Sequence, residues 1–195
     1  IPFVGSVVFL IVGYLLRRGI IETAEGLKAR TIRPALWPSI FADWRPILQT
    51  FGIVAMTNAA YYLTFTFAVE RRKALAGAQG SEFLLANTLT LIVVLISKPL
   101  GGWLSDTVGR RRQMMALTVV MMALIYPALQ MMLYGAPGAF IIGQVLIAVP
   151  IGMALGMQGA MVVEIFPLRS RVTSMSLAYS VTLALAGGSA PLVSK

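Results

Sequence analysis

The chain has 195 residues, of which 58% are hydrophobic and only 12% charged, with neither cysteine nor histidine. A soluble domain carries roughly 25% charged residues, so this composition excludes an ordinary soluble domain; the missing residue types exclude disulfides, thiolate or imidazole metal centres and the commonest general base. The net charge of +9 would suit nucleic acid, but the cations sit in short loops between apolar runs. That is the pattern of a membrane protein, and nucleic acid is not an expected partner.

Six apolar runs follow one another along the chain, at residues 1–16, 47–69, 83–104, 114–134, 138–163 and 172–194. The last five have the roughly 20-residue length that a helix needs to cross a ~30 Å hydrocarbon core. The expected fold class is therefore an all-α membrane protein, a six-helix bundle whose partner is the lipid bilayer. Pro127 and Pro150 lie within spans, where neighbouring helices re-satisfy the freed backbone groups. The first run starts at Ile1 with no charged segment before it, so it reads as a cut span of a longer protein and not as a signal peptide.

The loops set an expected orientation. The first, third and fifth carry Arg17, Arg18, Lys28, Arg30, Arg33, Arg45, Arg110, Arg111, Arg112, Arg169 and Arg171, eleven cations against the three of Arg71-Arg72-Lys73 in the second. The odd loops are expected in the cytoplasm, and the Arg71–Lys73 cluster violates the rule locally. The first loop, with Pro34, Pro38 and Pro46 among mixed charges, reads as a solvated linker or an amphipathic surface segment.

The third loop, Gly102–Arg112, reads GWLSDTVGRRR. It resembles the G-x-L-S-D-x-x-G-R-R signature of the major facilitator superfamily, which stands between the second and third helix of each half. Met56–Phe67 (MTNAAYYLTFTF) is similar to the Asn-plus-paired-Tyr segment of helix seven in bacterial proline/betaine transporters. Glu164–Ser180 (EIFPLRSRVTSMSLAYS) resembles the E-x-F-P-x-x-x-R-x-T element of the metabolite:proton symporter family. Leu16–Glu25 and the closing Gly187–Pro191 (GGSAP) fit the same branch at helices six and eleven. Tyr179-Ser180 departs from it, since relatives often have an aromatic followed by Asn.

The matches occur in family order. The resemblance implies that residues 1–16 end an N-terminal bundle as helix six, that 17–46 form a cytoplasmic central loop, and that 47–195 form helices seven to eleven of a twelve-helix fold. The implied partners are a small-molecule solute together with H+, and the N-terminal half of the same protein. The implied function is secondary active transport by alternating access, a proton-coupled symport of a small zwitterion or organic acid in a bacterial cytoplasmic (inner) membrane. No cofactor and no metal is expected.

Asp106, Arg110, Arg111, Glu164 and Arg171 stand at the charged ends of spans three to six. Acids and bases alternate there, which orientation alone does not require. The resemblance implies a gating charge network that latches the cytoplasmic side shut. Gly102 and Gly109 allow a tight turn and close helix approach. Ala148, Gly152, Gly156 and Ala160 recur every fourth residue of span five, a groove for close helix packing.

Asn58, Tyr61 and Tyr62 lie at mid-span, with Asn58 and Tyr62 four residues apart on one helix face. Polar groups there are costly and tend to line a cavity, so substrate lining and simple inter-helix packing both stay open. Asn87 and Gln158 are similar candidates, while Thr88 and Thr90 are expected to bond back to their own helix. Lys98 either meets a substrate carboxylate or snorkels to the interface. No carboxylate lies in the middle of a span, which leaves Glu70 or a group outside this chain as the acid that would titrate.

An integral-membrane enzyme would need buried catalytic groups, and none is apparent. The rival readings are a drug or sugar carrier of the same superfamily, against which the E-I-F-P and N-A-A-Y-Y stretches speak, and a non-transporting scaffold or channel subunit.

Overall fold

The structure, a computed structural model, describes residues 11–16, 41–76, 80–167 and 170–193, with residues 76, 80, 81 and 186–193 described by backbone alone. Most of the first expected span and of the first loop lie outside the described residues, and so do Arg169 and the helix-six resemblance beyond Leu16. The side chains of Gly187–Pro191 lie outside them too. The chain divides into two compact units, Ile1–Ala35 and Leu36–Lys195. In the first, residues 11–16 are helical.

The second unit is built entirely of helices among the described residues. They are α1 (Trp44–Tyr62), a π-helical turn (Leu63–Phe67), α2 (Ala68–Ala76), α3 (Gly80–Val108), α4 (Arg110–Tyr134), α5 (Pro137–Ile165) and α6 (Arg171–Val193). Helices alone satisfy every backbone group within the segment, as lipid demands. Among the described residues, four stretches are long and apolar enough to cross a membrane: Trp44–Leu75, Glu82–Val108, Arg110–Tyr134 and Pro137–Ile165. Each extends beyond its apolar run, because the helix continues through polar residues once the chain leaves the hydrocarbon.

The central helix is α5. More than half of its most apolar stretch is buried, against about a fifth for α3 and α4. It packs chiefly against α3 and α4, and also against α1, which pairs with α6. Phe140, Ile147, Ile151, Ala154 and Met157 run down it as the spine of the core.

Lipid tails are as apolar as leucine, so close packing must bind these helices. The glycines supply it. A Cβ at Gly152 would sit 2.6 Å from Ser97 Cβ and 2.8 Å from the Val94 carbonyl oxygen, and one at Gly156 would collide with the Lys98 backbone. Gly101 meets Met153 in the same way and extends the contact from the α3 side. Gly102, expected to be a close-packing position, has its nearest neighbour at 3.9 Å, in ordinary contact only. Gly109 carries the turn between α3 and α4 at φ 93°, a left-handed conformation that favours glycine.

Two of the three cations of the second loop, Arg72 and Lys73, have partners in the structure. Arg72, on α2, donates to the carbonyls of Leu133 (2.7 Å) and Gly135 at the end of α4, and its guanidinium lies 5.3 Å from the Phe83 ring centroid. The last carbonyls of a helix lack intrahelical partners and carry the negative end of the helix dipole. A cation is favoured there whichever side of the membrane it faces. Lys73 pairs locally with Glu70 at 3.2 Å.

Candidate functional site

Two polar clusters stand at different depths, and they are built by different helices. The first lies at the Asp106 end of the bundle. Gly109 reverses the chain, so that Asp106 in the last turn of α3 and Arg110 in the first turn of α4 fall four residues apart. One guanidinium nitrogen of Arg110 reaches Asp106 Oδ1 at 3.3 Å, and the other donates to Glu164 Oε1 near the end of α5. One arginine thus ties three helices through two carboxylates. The side chains are 29% exposed for Arg110, 69% for Asp106 and 60% for Glu164. Exposed pairs of this kind contribute about 0–1 kcal/mol to stability, so the arrangement suits a contact that opens and closes.

Arg110, Arg111 and Glu164 line a groove of about 650 Å³, with Leu48, Gly52 and Ile53 of α1 opposite. Arg171 does not join the acids. It donates to the Phe166 carbonyl at 3.2 Å, holding the turn between α5 and α6. The same turn region is tied to the start of α1 by a buried contact without a motif to announce it: Ser174 donates to Asp43 Oδ2 at 2.9 Å.

The second cluster involves the π turn. Up to Tyr62 the helix is regular, so Asn58 and Tyr62 do share a face. The wider turn that follows rotates everything beyond it relative to that face. Asn58 spends its amide nitrogen on its own helix, at the Val54 carbonyl (2.8 Å), leaving its oxygen to accept. Tyr62 opens onto a groove of about 250 Å³ shared with Thr66, Phe67, Glu70 and Arg71. Tyr61 turns the other way, packs on the hydrophobic core and sits 4.9 Å from the Phe65 ring.

Asn87 of α3 meets Gln144 of α5, whose amide nitrogen lies 2.7 Å from Asn87 Oδ1 and 3.4 Å from the Thr64 carbonyl in the π turn. Gln158 is 3% exposed, and its Oε1 has no partner among the described residues. Thr88 and Thr90 donate to the carbonyls of Leu84 and Ala86 one turn back, each at 2.9 Å. Lys98 is exposed near the Asp106 end of α3.

Residues 50–194 match the family described as Major Facilitator Superfamily. The chain belongs to the major facilitator superfamily. Among curated relatives, it is 34% identical to the citrate-proton symporter of Klebsiella pneumoniae, across 100% of this chain and 44% of that protein. It is 29% identical to the alpha-ketoglutarate permease of Escherichia coli K12, across 99% of this chain and 45% of that protein. Identity to the ectoine/proline transporter of Corynebacterium glutamicum is 28%, across 78% of this chain and 30% of the relative. The chain thus spans less than half the length of these relatives. No solved structure matches it. A major facilitator chain of this kind is an integral membrane protein, and the relatives are transporters and not enzymes.

Proposed function

We propose that the protein carrying this chain is a secondary active transporter of a bacterial cytoplasmic membrane, of the metabolite:proton symporter branch. It moves a small carboxylate-bearing solute, an organic acid or a zwitterion, together with H+. The three relatives named above are transporters of citrate, alpha-ketoglutarate and ectoine or proline, and one is a proton symporter by name.

The observation that carries the reading is Arg110 held between Asp106 and Glu164. Alternating access needs a closure that forms in one state and breaks in the other, with a difference of a few kcal/mol between them. Exposed charged groups on three separate helices meet that need better than a buried apolar contact, because water replaces each lost partner. In this reading the Asp106 end faces the cytoplasm, the latch is closed when the central cavity opens outward, and Asn58 and Tyr62 line that cavity. The N-terminal half of the same protein supplies the other wall.

Right-side-out vesicles holding the full-length protein should accumulate radiolabelled citrate, α-ketoglutarate or proline against a gradient. A protonophore should abolish the accumulation. Equilibration without accumulation would leave a channel or a facilitator in place of a symporter.

A further inference from the structure

Gln144 is fully buried on α5, and the orientation of its amide can be read from its surroundings. One of its terminal atoms faces the Thr64 carbonyl at 3.4 Å. A backbone carbonyl only accepts, so the amide nitrogen is the one terminal atom of Gln144 that can bond it. That nitrogen also lies 2.7 Å from the Asn87 side chain, which must therefore turn its oxygen toward Gln144. The NH2 group of Asn87, a half-buried residue, is left without a protein partner among the described residues. Two hydrogens of one glutamine thus fix a second amide as a donor.

The site is layered. Asn87 and Gln144 each lie seven residues into their helices, about 10 Å below the Gly135 end at 1.5 Å per residue. One turn above them, Phe83 and Phe140 close edge to face, with ring centroids 5.0 Å apart. Gln144 Oε1 and Thr64 Oγ1 are buried without partners among the described residues. An unpaired amide donor at this depth is costly in contact with hydrocarbon and reasonable in a cavity.

We propose that Gln144 is a positioning residue that holds Asn87 as a hydrogen-bond donor toward the solute, so that this part of the cavity selects a carboxylate oxygen over an N–H group. The proposal rests on the transport reading above. Gln144 never touches the solute; it acts by forbidding the flipped Asn87 amide. Removing Gln144 frees that amide to rotate and lowers the fraction of transporters in the binding orientation. Removing Asn87 deletes the donor itself.

The test uses the full-length protein in proteoliposomes with a proton gradient, and radiolabelled citrate, α-ketoglutarate and proline as probes. Asn87→Ala should raise KM for the transported probe about tenfold or more, the loss of a hydrogen bond to a charged acceptor. Gln144→Leu should raise KM severalfold with Vmax per folded protein unchanged. The double variant should be no worse than Asn87→Ala alone, because the glutamine acts only through the asparagine. Unchanged KM in Gln144→Leu, or effects that multiply in the double variant, would overturn the proposal and leave Gln144 as helix packing. Wild-type protein that takes up none of the three probes would overturn the transport reading and this proposal with it, whereas wild-type uptake with insensitive variants overturns the proposal alone.

Discussion

Arg110 and Glu164 are 54 residues apart in the chain, yet one guanidinium nitrogen donates directly to the carboxylate and fastens the start of α4 to the end of α5. The second nitrogen holds Asp106 at 3.3 Å. Neither carboxylate is buried, so the tie contributes little to folding and can be broken cheaply by motion.

Replacing Arg110 by Ala, or Asp106 by Asn, in the full-length protein should therefore cut transport strongly while changing unfolding free energy by no more than about 1 kcal/mol. Solute binding should persist. Swapping the charges, Arg110→Glu with Glu164→Arg, should recover part of the transport that either single change removes. Uptake at wild-type rates in both Arg110→Ala and Asp106→Asn would remove the latch.

Arg72 should behave in the opposite way. It supplies charge-assisted hydrogen bonds to Leu133 and Gly135 from a partly buried position. Arg72→Ala should lower the unfolding free energy by about 2–4 kcal/mol, given roughly 1.5–3 kcal/mol for a bond to a charged group. Arg71→Ala, at an exposed neighbour, should be silent. Thermal unfolding in detergent compares the two; equal loss, or none, would refute the capping role.

This pair also shows what the sequence could and could not reveal. The spans and the charged turn were legible because lipid imposes length and apolarity, and because Asp106, Arg110 and Glu164 sit where charge has no orientational reason to alternate. The oddity of Arg71–Lys73 was visible, but its cause depends on where α4 ends in space. Gln144 is a single neutral amide in an apolar run and makes no pattern; its depth, equal to that of Asn87 on a neighbouring helix, was the available signal. The π turn at Leu63–Phe67 has no sequence signature; ahead of it, Tyr61 and Tyr62 are neighbours on a regular helix and therefore point in different directions, Tyr61 onto the core and Tyr62 onto the groove. The tight contact with α5 is made by Gly101, next to the motif glycine Gly102, and motif spacing cannot resolve a one-residue shift.

The glycine contacts give a third expectation. Gly152→Ala places a methyl against Ser97 and Val94 in a fixed crossing of α3 and α5. Overpacking of this kind costs about 1–3 kcal/mol. Gly159→Ala, on the same helix with nothing within 4 Å, should be neutral or slightly stabilising, since alanine favours helix over glycine by about 1 kcal/mol. Unfolding midpoints in one detergent, with both variants equally stable, would contradict the packing.

This chain has no cysteine, so introduced cysteines report on orientation once any others in the full-length protein are replaced. Single cysteines at Thr107 and Ala136 in intact cells should differ, the second reacting with an impermeant maleimide and the first protected. Equal labelling from outside would reject the placement of the Asp106 end in the cytoplasm.

Symport requires that solute and proton cross together. A lightly buffered suspension of de-energised vesicles holding the full-length protein should turn alkaline on the outside when citrate, α-ketoglutarate or proline is added, with the pH rise absent in empty vesicles and strongly reduced by Arg110→Ala. Solute entry with no accompanying pH change would contradict the symport account.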